Sequence, residues 1–459
     1  MKLNREKYKQ EEINKNLVQS VALEYWKEKG CHASCYMATG TGKSRVGILA
    51  SQYVVQLLKT ELFERKANIL LVVPLEKLRD ENWKEEFDEW DKDGNIWDEN
   101  LQRTTYVSLS KYKNEEFDLI ILDEAHHITE LNFEFFEKNN NIIHKVLALT
   151  ATPPEDKDKR AMLKQIAPPC FLYTLEEAEN DELVAPFELF VIKSQLDRVT
   201  KNIPAGNEKR RWYQTEGEKY DYITDKIDSL RVEKSEKLAE ILNTGTIDKF
   251  GKVTTVESWQ VKDWKSGGIG YSTEKVVIFE KYVKYEDSYD RRLMALILDR
   301  MHLLNSLPSK TELAKRVLAK VHEGKGKRTI VFGGSIKQVN EVCGKNVYHS
   351  SSDTAKQKKE GNTPFDKFKR LEIDILGVVR SVNEGHSIQL LDQALVIQLN
   401  SKELDIIQRI GRIIRFRKDH TGRIYIIVCE ETVDENWFKA AMKSFAKAKF
   451  KYFNASIFD

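Results

Sequence analysis

The sequence is poor in the features that would place it outside ordinary globular proteins. Only 9 of its 459 residues are proline, which argues against long disordered linkers. The five cysteines are odd in number and scattered, as in a reducing compartment rather than a disulfide framework. No apolar run approaches the ~18 residues of a membrane span, and the N-terminal segment lacks the apolar core of a signal peptide. We therefore expect a cytoplasmic protein with no membrane partner.

An excess of charge of one sign is also missing, because 74 Lys and Arg nearly balance 72 Asp and Glu. Any surface for a polyanion must therefore be a local stripe rather than a property of the whole chain. Cys31, His32 and Cys35 lie close together, but no second pair of ligands follows at the spacing of a zinc site. We therefore do not expect a metal centre at these cysteines.

The length of the chain and the rhythm of its apolar runs predict tandem domains of one class. Single cores stop growing near ~250 to 300 residues, so 459 residues predict two or three domains. Short runs rich in Val, Ile and Leu alternate with amphipathic stretches, which is typical of a doubly wound parallel sheet. The expected strands span residues 33–37, 68–73, 118–122 and 145–149, then 329–332, 374–378, 394–399 and 424–428. This pattern predicts an α/β fold with two domains in tandem.

A charged segment at residues 197–310 follows a different pattern. Alternation at Val276, Ile278 and Tyr282 predicts a half-buried strand in a small β-rich element at 253–285. The alternative is that the aromatics of this element, interleaved with lysines, stack on unpaired bases and distinguish branched from duplex nucleic acid. We place the domains at residues 1–186 and 187–459, with an insertion at about 230–285.

A glycine-rich loop, Met-Ala-Thr-Gly-Thr-Gly-Lys-Ser at residues 37–44, follows the first predicted strand. Glycines let successive backbone amides turn toward a phosphate, Lys43 can neutralise the β and γ phosphates, and the Ser44 hydroxyl can bind Mg²⁺. Met37 replaces the first glycine of the general pattern, so for this segment alone a plain turn with a surface lysine is the alternative. The candidate ATP-binding residues here are Thr39, Gly40, Thr41, Gly42, Lys43, Ser44 and Arg45.

Two adjacent carboxylates, Asp123 and Glu124, follow the apolar run 118–122. They are therefore expected at the carboxyl edge of a parallel sheet, where open α/β sheets bind ligands. One carboxylate can hold Mg²⁺ while its neighbour polarises an attacking water. The alternative is an acidic helix start, because Asp and Glu favour helix N-termini. Zinc binding by His126 and His127 is disfavoured, since they lack the helical spacing of zinc-binding histidines.

Two further runs carry polar groups, one at the end of a predicted strand and one along a predicted helix face. Residues 149–154, Leu-Thr-Ala-Thr-Pro-Pro, place hydroxyl groups at the end of a strand that proline terminates. Gln408, Arg412 and Arg415 are spaced i, i+4 and i+7 and so share one helical face. Three polar groups on one face suit a γ-phosphate, although this run in isolation is better interpreted as a solvated basic helix face.

In order and spacing, these four runs resemble the motifs of superfamily 2 helicases over nearly the whole chain. The loop at Lys43 resembles motif I in the form common in the branch of restriction motors, repair helicases and phage recombination helicases. The Asp-Glu-Ala-His box at 123–126 resembles motif II of the DEAH-box type, 150–152 motif III and 408–415 motif VI.

Weaker motifs fall between these: 73–75 resembles motif Ia, 105–108 motif Ib, 330–335 motif IV and 384–385 motif V. The residues that the resemblance assigns to the nucleic-acid strand are Pro74, Leu75, Thr105, Ser108, Gly334, Ser335, Arg380 and Ser381. Ser387 replaces the aspartate that motif V usually carries, so the role of that aspartate is not transferred. Gln19 lies upstream of motif I. It either recognises adenine or is a solvated residue of an amphipathic helix.

The resemblance implies two tandem RecA-like domains that hold ATP and Mg²⁺ between them, with Arg412 and Arg415 as arginine fingers. The implied catalytic residues are Lys43, Asp123, Glu124, Gln408, Arg412 and Arg415, and the implied metal ligands are Ser44 and Asp123. The implied activity is ATP-driven movement on DNA, or its unwinding, by a monomer in replication, recombination or repair, from a phage or its host. The alternatives are the motor subunit of a restriction or antiviral defence system and a nucleotide-gated binding protein that does not hydrolyse ATP.

Overall fold

The computed structural model describes residues 2–3, 13–59, 65–76, 78–92, 94–139, 143–151, 153–154, 156–207, 210–242, 260–262, 269–271, 273–323, 327–348, 363–379, 391–399, 421–442 and 450–458. The chain divides into two units. One combines Met1–Ser194 with Leu313–Asp459, and the other is Gln195–Glu312.

The secondary structure alternates strands and helices through most of the chain. The strands are β1 (His32–Met37), β2 (Ile69–Val73), β3 (Leu101–Thr105), β4 (Leu119–Asp123), β5 (Val146–Thr150), β6 (Pro169–Tyr173), β7 (Phe187–Ser194), β8 (Ile203–Asn207), β9 (Arg210–Gln214), β10 (Gln260–Lys262), β11 (Ile269–Tyr271), β12 (Thr329–Gly333), β13 (Val347–Tyr348), β14 (Ile375–Val379), β15 (Gln393–Val396), β16 (Gly422–Cys429) and β17 (Phe450–Asn454). The helices are α1 (Lys15–Glu28), α2 (Lys43–Leu58), α3 (Trp83–Trp90), α4 (Ile96–Glu99), α5 (Glu130–Lys138), α6 (Lys157–Ile166), α7 (Leu175–Asn180), α8 (Glu216–Leu242), α9 (Thr273–Leu304), α10 (Pro308–Val321), α11 (Ile336–Cys343), α12 (Pro364–Lys369) and α13 (Val433–Ala441).

The first sheet is parallel, with the strand order β3-β2-β4-β5-β1-β6 among the described residues. Its central strands β2, β4 and β5 are buried at every residue because both faces are covered, and they are apolar except for Asp123 and Thr150 at their carboxyl ends. Helix α2 packs against β4 and β5, while α5 and α6 contribute to the core on the opposite face. Strand β5 separates β1 from β4, so the carboxyl ends of these three strands meet at one edge.

The second sheet is also parallel, with the order β13-β14-β12-β15-β16-β7-β17. Strand β7 pairs with β16 along its full length, from Phe187 opposite Gly422 to Ser194 opposite Cys429. The predicted class is therefore confirmed: the fold is α/β, with two RecA-like sheets in tandem. The domain limits at 186 and 187 remain a prediction.

The eight predicted strands all appear, although the run at 394–399 ends as a strand at Val396. The strands that the apolar pattern missed include β3 and β17, which lie at sheet edges. Only part of their surface is covered, so β17 has exposed residues at Lys451 and Tyr452 and no continuous apolar run.

The unit Gln195–Glu312 contains the long helices α8 and α9, which pack on one another, and two antiparallel hairpins, β8–β9 and β10–β11. The predicted strand through Val276, Ile278 and Tyr282 is wrong, because these residues belong to α9. Apolar residues continue beyond them at helical spacing, and the longer 3.6-residue period prevails over a short alternation. Among the described residues, no helix is long and apolar enough to cross a bilayer.

Candidate active site

The glycine-rich loop connects β1 to α2 and depends on two glycines with left-handed backbone. Gly40 has φ of 84° and Gly42, the N-cap of α2, has φ of 83°. Residues with a Cβ rarely adopt this conformation. The Thr41 hydroxyl donates to the carbonyl of Ala38 over 2.7 Å and closes the turn. Among the residues that the structure describes, no side chain caps α2, so the first amides of this helix are available to an anion.

Gln19 supports this loop from α1. Its Nε2 donates to the carbonyl oxygen of Thr41 over 2.9 Å, and its Oε1 accepts from Arg45 over 3.0 Å. A Cβ at Gly42 would clash with Nε2 of Gln19. Gln19 is only 3% exposed, so its interpretation as a solvated residue is wrong. Its contact with adenine remains a prediction.

Asp123 ends β4 with its carboxylate buried and held on both oxygens. Oδ2 accepts from the indole nitrogen of Trp83 over 2.8 Å, and Oδ1 accepts from the backbone nitrogen of Glu124 over 3.0 Å. The carbonyl of Asp123 accepts from the Tyr106 hydroxyl over 2.9 Å. These contacts fix the direction of the carboxylate at the carboxyl edge of the sheet.

The charges around the Asp123 carboxylate include that of Lys43 in the glycine-rich loop. Burial, with the neighbouring charge of Glu124, raises the pKa of Asp123 to about 7. The hydrogen bond from Trp83 and the positive charge of Lys43 act in the opposite direction. Lys43 is therefore close enough to Asp123 to stabilise its charged form, which brings the loop and the acidic pair into one site.

Glu124 presents a carboxylate oxygen that has no hydrogen-bond partner within the described parts of the chain. It takes a left-handed conformation with φ of 47°, between the strand and a short 3₁₀ turn, Ala125–His127. Its Oε2 is buried and makes no hydrogen bond there, with Nδ1 of His126 at 3.5 Å. An orphaned buried acceptor costs free energy unless a ligand or water fills it. The oxygen is thus suited to receive a hydrogen bond from a reacting water.

Thr150 joins the ends of β4 and β5 through a side-chain contact. Its Oγ1 lies 3.1 Å from Nδ1 of His126, and both side chains are buried. The motif II and motif III runs therefore touch, whereas Thr152 lies outside the described residues. His126 acts here as a connection between strands rather than as a surface residue.

The residues predicted to touch the nucleic-acid strand are distributed over two sheets. Pro74 and Leu75 follow β2, where Leu75 is 46% exposed, and Ser108 is half-buried after β3. Thr105 is 9% exposed, which leaves little of its side chain for a ligand.

At the end of β12, Gly334 donates its backbone nitrogen to Gln338 over 3.3 Å, and Ser335 caps α11. The predicted residues outside the described part of the chain are Arg380, Ser381, Gln408, Arg412 and Arg415.

Trp83 is the residue at this site that sequence reasoning missed. It begins α3, is 1% exposed, and would lie 2.7 Å from a Cβ on Gly47 of α2. Its spacing to Phe87 and Trp90 marks an apolar helix face. Nothing in that spacing shows that its N–H reaches Asp123, 40 positions away.

The site fits a magnesium nucleotide on its own geometry. Two left-handed glycines, Gly40 and Gly42, turn the loop ahead of the start of α2, and the hydroxyl of Thr39 is a second buried oxygen without a hydrogen-bond partner among the described residues. Ser44 and Asp123 are the oxygen ligands that Mg²⁺ could use there. Together with the tandem RecA-like sheets, this defines the class: the protein is a phosphate-loop NTPase.

Comparison with known proteins agrees with this class. Residues 4–155 match the family model of the type III restriction enzyme, res subunit, and residues 309–417 match that of the helicase conserved C-terminal domain. The chain belongs to the superfamily 2 helicases, and its domains are those of an ATP-driven helicase-type hydrolase. No curated protein matches it in sequence.

Solved structures share the fold at low identity. The helicase domain of Hef from Pyrococcus furiosus is 15% identical, with a TM-score of 0.50 over 96% of this chain and 100% of that one. Dbp5 from S. cerevisiae, bound to RNA and ADP BeF3, is 12% identical, with a TM-score of 0.53 over 95% and 89%. The type ISP restriction-modification enzyme LlaBIII, bound to DNA, is 14% identical, with a TM-score of 0.53 over 96% of this chain and 31% of that one.

Proposed function

We propose that the protein hydrolyses ATP to move along or unwind DNA, acting on branched or duplex DNA in replication, recombination or repair. The observation that supports this most directly is the neighbourhood of two carboxylates beside the glycine-rich loop: Asp123 is fixed, and Oε2 of Glu124 lacks a hydrogen-bond partner among the described residues. A site that only holds nucleotide would not need a carboxylate oxygen left open for water.

In this proposal each residue has a separate task. Lys43 and the loop amides bind the phosphates, while Ser44 and Asp123 hold Mg²⁺, which when bound would neutralise phosphate charge. Glu124 orients the attacking water and takes its proton at Oε2. Arg412 and Arg415 stabilise the charge that develops on the γ-phosphoryl group, with Gln408 beside them. Hydrolysis then depends on both RecA-like domains, which we place at residues 1–186 and 187–459.

DNA is proposed as the substrate because the residues of the motifs resemble those of the DNA-acting branch of the family more than those of the RNA-remodelling branch. Contacts mainly to phosphates, through the residues of motifs Ia, Ib, IV and V, would make binding tolerant of sequence. We propose that the protein acts as a monomer in the cytoplasm of a bacterium or of a phage host.

The decisive experiment compares ATP turnover without nucleic acid and with single-stranded DNA, duplex DNA or RNA. DNA should stimulate turnover more than RNA, and Lys43→Ala should abolish hydrolysis in every arm while leaving the melting temperature unchanged. Stimulation by RNA alone would overturn the DNA assignment, and normal hydrolysis by the Lys43 variant would overturn the site.

A second candidate is the motor subunit of a restriction or antiviral defence system, which the match of residues 4–155 to the restriction res subunit favours. A restriction motor has to travel along intact duplex. Displacement of a triplex-forming strand from duplex DNA, without separation of a fork, would support this candidate. Fork unwinding without triplex displacement would support the first one.

A further inference from the structure

The β8–β9 hairpin carries basic charge that the chain as a whole does not. Residues 201–214 contain four Lys or Arg and one Glu, in a protein whose positive and negative residues nearly balance. Lys201 and Arg211 are exposed. Such a local excess is the electrostatic condition for binding a polyanion.

The same hairpin exposes two aromatic side chains. Trp212 is 56% exposed and Tyr213 is 54% exposed, whereas tryptophan is normally buried for most of its surface. Their partners across the strands are Ala205 and Pro204, whose small side chains leave the rings uncovered.

Trp212 is nevertheless held in place. A Cβ on Gly206 would lie 2.7 Å from a ring carbon of Trp212, so the indole rests directly on the glycine backbone. Gly206 has φ of 88°, a conformation that also favours glycine. A supported ring with its remaining surface open is a platform on which a base can stack.

The base of the hairpin is fixed by one buried carboxylate. Glu216 accepts from the backbone nitrogen of Asp197 over 2.9 Å, and from the backbone nitrogen and hydroxyl of Ser309 over 2.8 and 2.6 Å. Asp197 in turn accepts from the backbone nitrogens of Val199 and Thr200. The two ends of the hairpin are thus attached to the rest of their unit at one point, which orients the aromatic platform.

From these observations we infer that the β8–β9 hairpin binds single-stranded nucleic acid, with a base stacked on Trp212 and phosphates paired with Arg211 and Lys201. This inference rests on the proposed function. An apolar protein partner would not require the excess of positive charge, whereas a nucleic-acid strand uses both the charge and the rings. None of the residues that the helicase motifs assigned to nucleic-acid binding lies in this hairpin.

The test measures binding of a fluorescent oligothymidylate and of a blunt duplex to the full-length protein by anisotropy. Trp212→Ala should weaken binding of the single strand about tenfold or more and that of the duplex less than twofold, because paired bases cannot stack on the ring. Trp212→Phe should restore most of the loss. Arg211→Ala should weaken both ligands and lower the slope of log affinity against log salt by about one.

Tyr452→Ala is the matched control, since Tyr452 is 57% exposed on β17 in the other unit, and it should leave both affinities unchanged. Unchanged single-strand binding by Trp212→Ala would overturn the inference and assign the surface to another partner. Equal losses for both ligands together with a lower melting temperature would overturn it in favour of a structural role. A wild-type protein that binds neither ligand and whose ATP turnover neither DNA nor RNA stimulates would instead reject the proposed function.

Discussion

The indole nitrogen of Trp83 donates a hydrogen bond of 2.8 Å to Oδ2 of Asp123. This contact joins the start of α3 to the carboxyl end of β4, and it opposes the burial that raises the pKa of Asp123. Trp83 would touch neither nucleotide nor metal, so it is a positioning residue for the proposed magnesium ligand.

Trp83→Phe should therefore keep the ring packing but lower Mg²⁺ affinity or ATP turnover by about 10- to 100-fold, the usual effect of losing a partner of a metal ligand. ATP turnover of the variant and of the wild type, measured across a Mg²⁺ titration, separates a change in Mg²⁺ affinity from a change in turnover. Trp97→Phe is the control, because Trp97 packs on Phe87 in the same aromatic cluster and should leave the Mg²⁺ dependence unchanged. If both variants behave alike, Trp83 contributes packing alone.

The pKa of Asp123 predicts a pH dependence. Because that pKa is raised to about 7, the carboxyl is largely protonated below pH 7 in the metal-free protein, and Mg²⁺ has to displace a proton there. Apparent Mg²⁺ affinity should fall up to about tenfold per pH unit below 7 and level off above pH 8. Mg²⁺ titrations of nucleotide binding at pH 6, 7 and 8 would show this trend. A constant affinity over that range would contradict it.

Glu124→Gln should reduce ATP turnover by a factor on the order of 10³ while ATP remains bound, because the amide cannot take a proton from water. Single-turnover hydrolysis and equilibrium ATP binding separate the two effects. Glu130→Gln, an exposed change at the start of α5, should alter neither. Normal turnover in the Glu124 variant would exclude this residue as the base.

Gln19→Leu removes both the donor to Thr41 and the acceptor of Arg45 without adding bulk. We expect ATP affinity to fall about tenfold, as for the loss of one or two buried hydrogen bonds. Equal losses for ATP and GTP would identify Gln19 as a support of the loop, and a loss confined to ATP would identify a contact with adenine. Asn16→Ala removes the other acceptor of Arg45 and should have a smaller effect. Wild-type affinity for both nucleotides would contradict either role.

Arg415→Ala should lower turnover by a factor on the order of 10³ with little change in ATP affinity, since an arginine finger stabilises mainly the charge of the transition state. Arg423→Ala changes an exposed arginine on β16 and serves as the control. A large loss of ATP affinity with unchanged turnover at saturation would show that Arg415 binds the ground state instead.

Several features of this protein could be predicted from the sequence because their determinants are local. Strands β2, β4 and β5 are apolar up to their last residues, and a strand that is buried on both faces can be recognised from its own residues alone. The glycine-rich loop and the acidic pair are likewise contiguous, so residue type and spacing alone predicted phosphate chemistry. The resemblance of the ordered motifs to those of superfamily 2 helicases then implied tandem RecA-like domains.

Other features were decided only by the tertiary structure. The strand order of the first sheet brings the ends of β1, β4 and β5 together, and no apolar pattern encodes that order. The contacts of Gln19 with Thr41 and of Trp83 with Asp123 join residues far apart in the chain, because a hydrogen bond depends on where two elements pack. The exposure of Trp212 likewise depends on its place in the hairpin, where the small side chain of Ala205 lies opposite it.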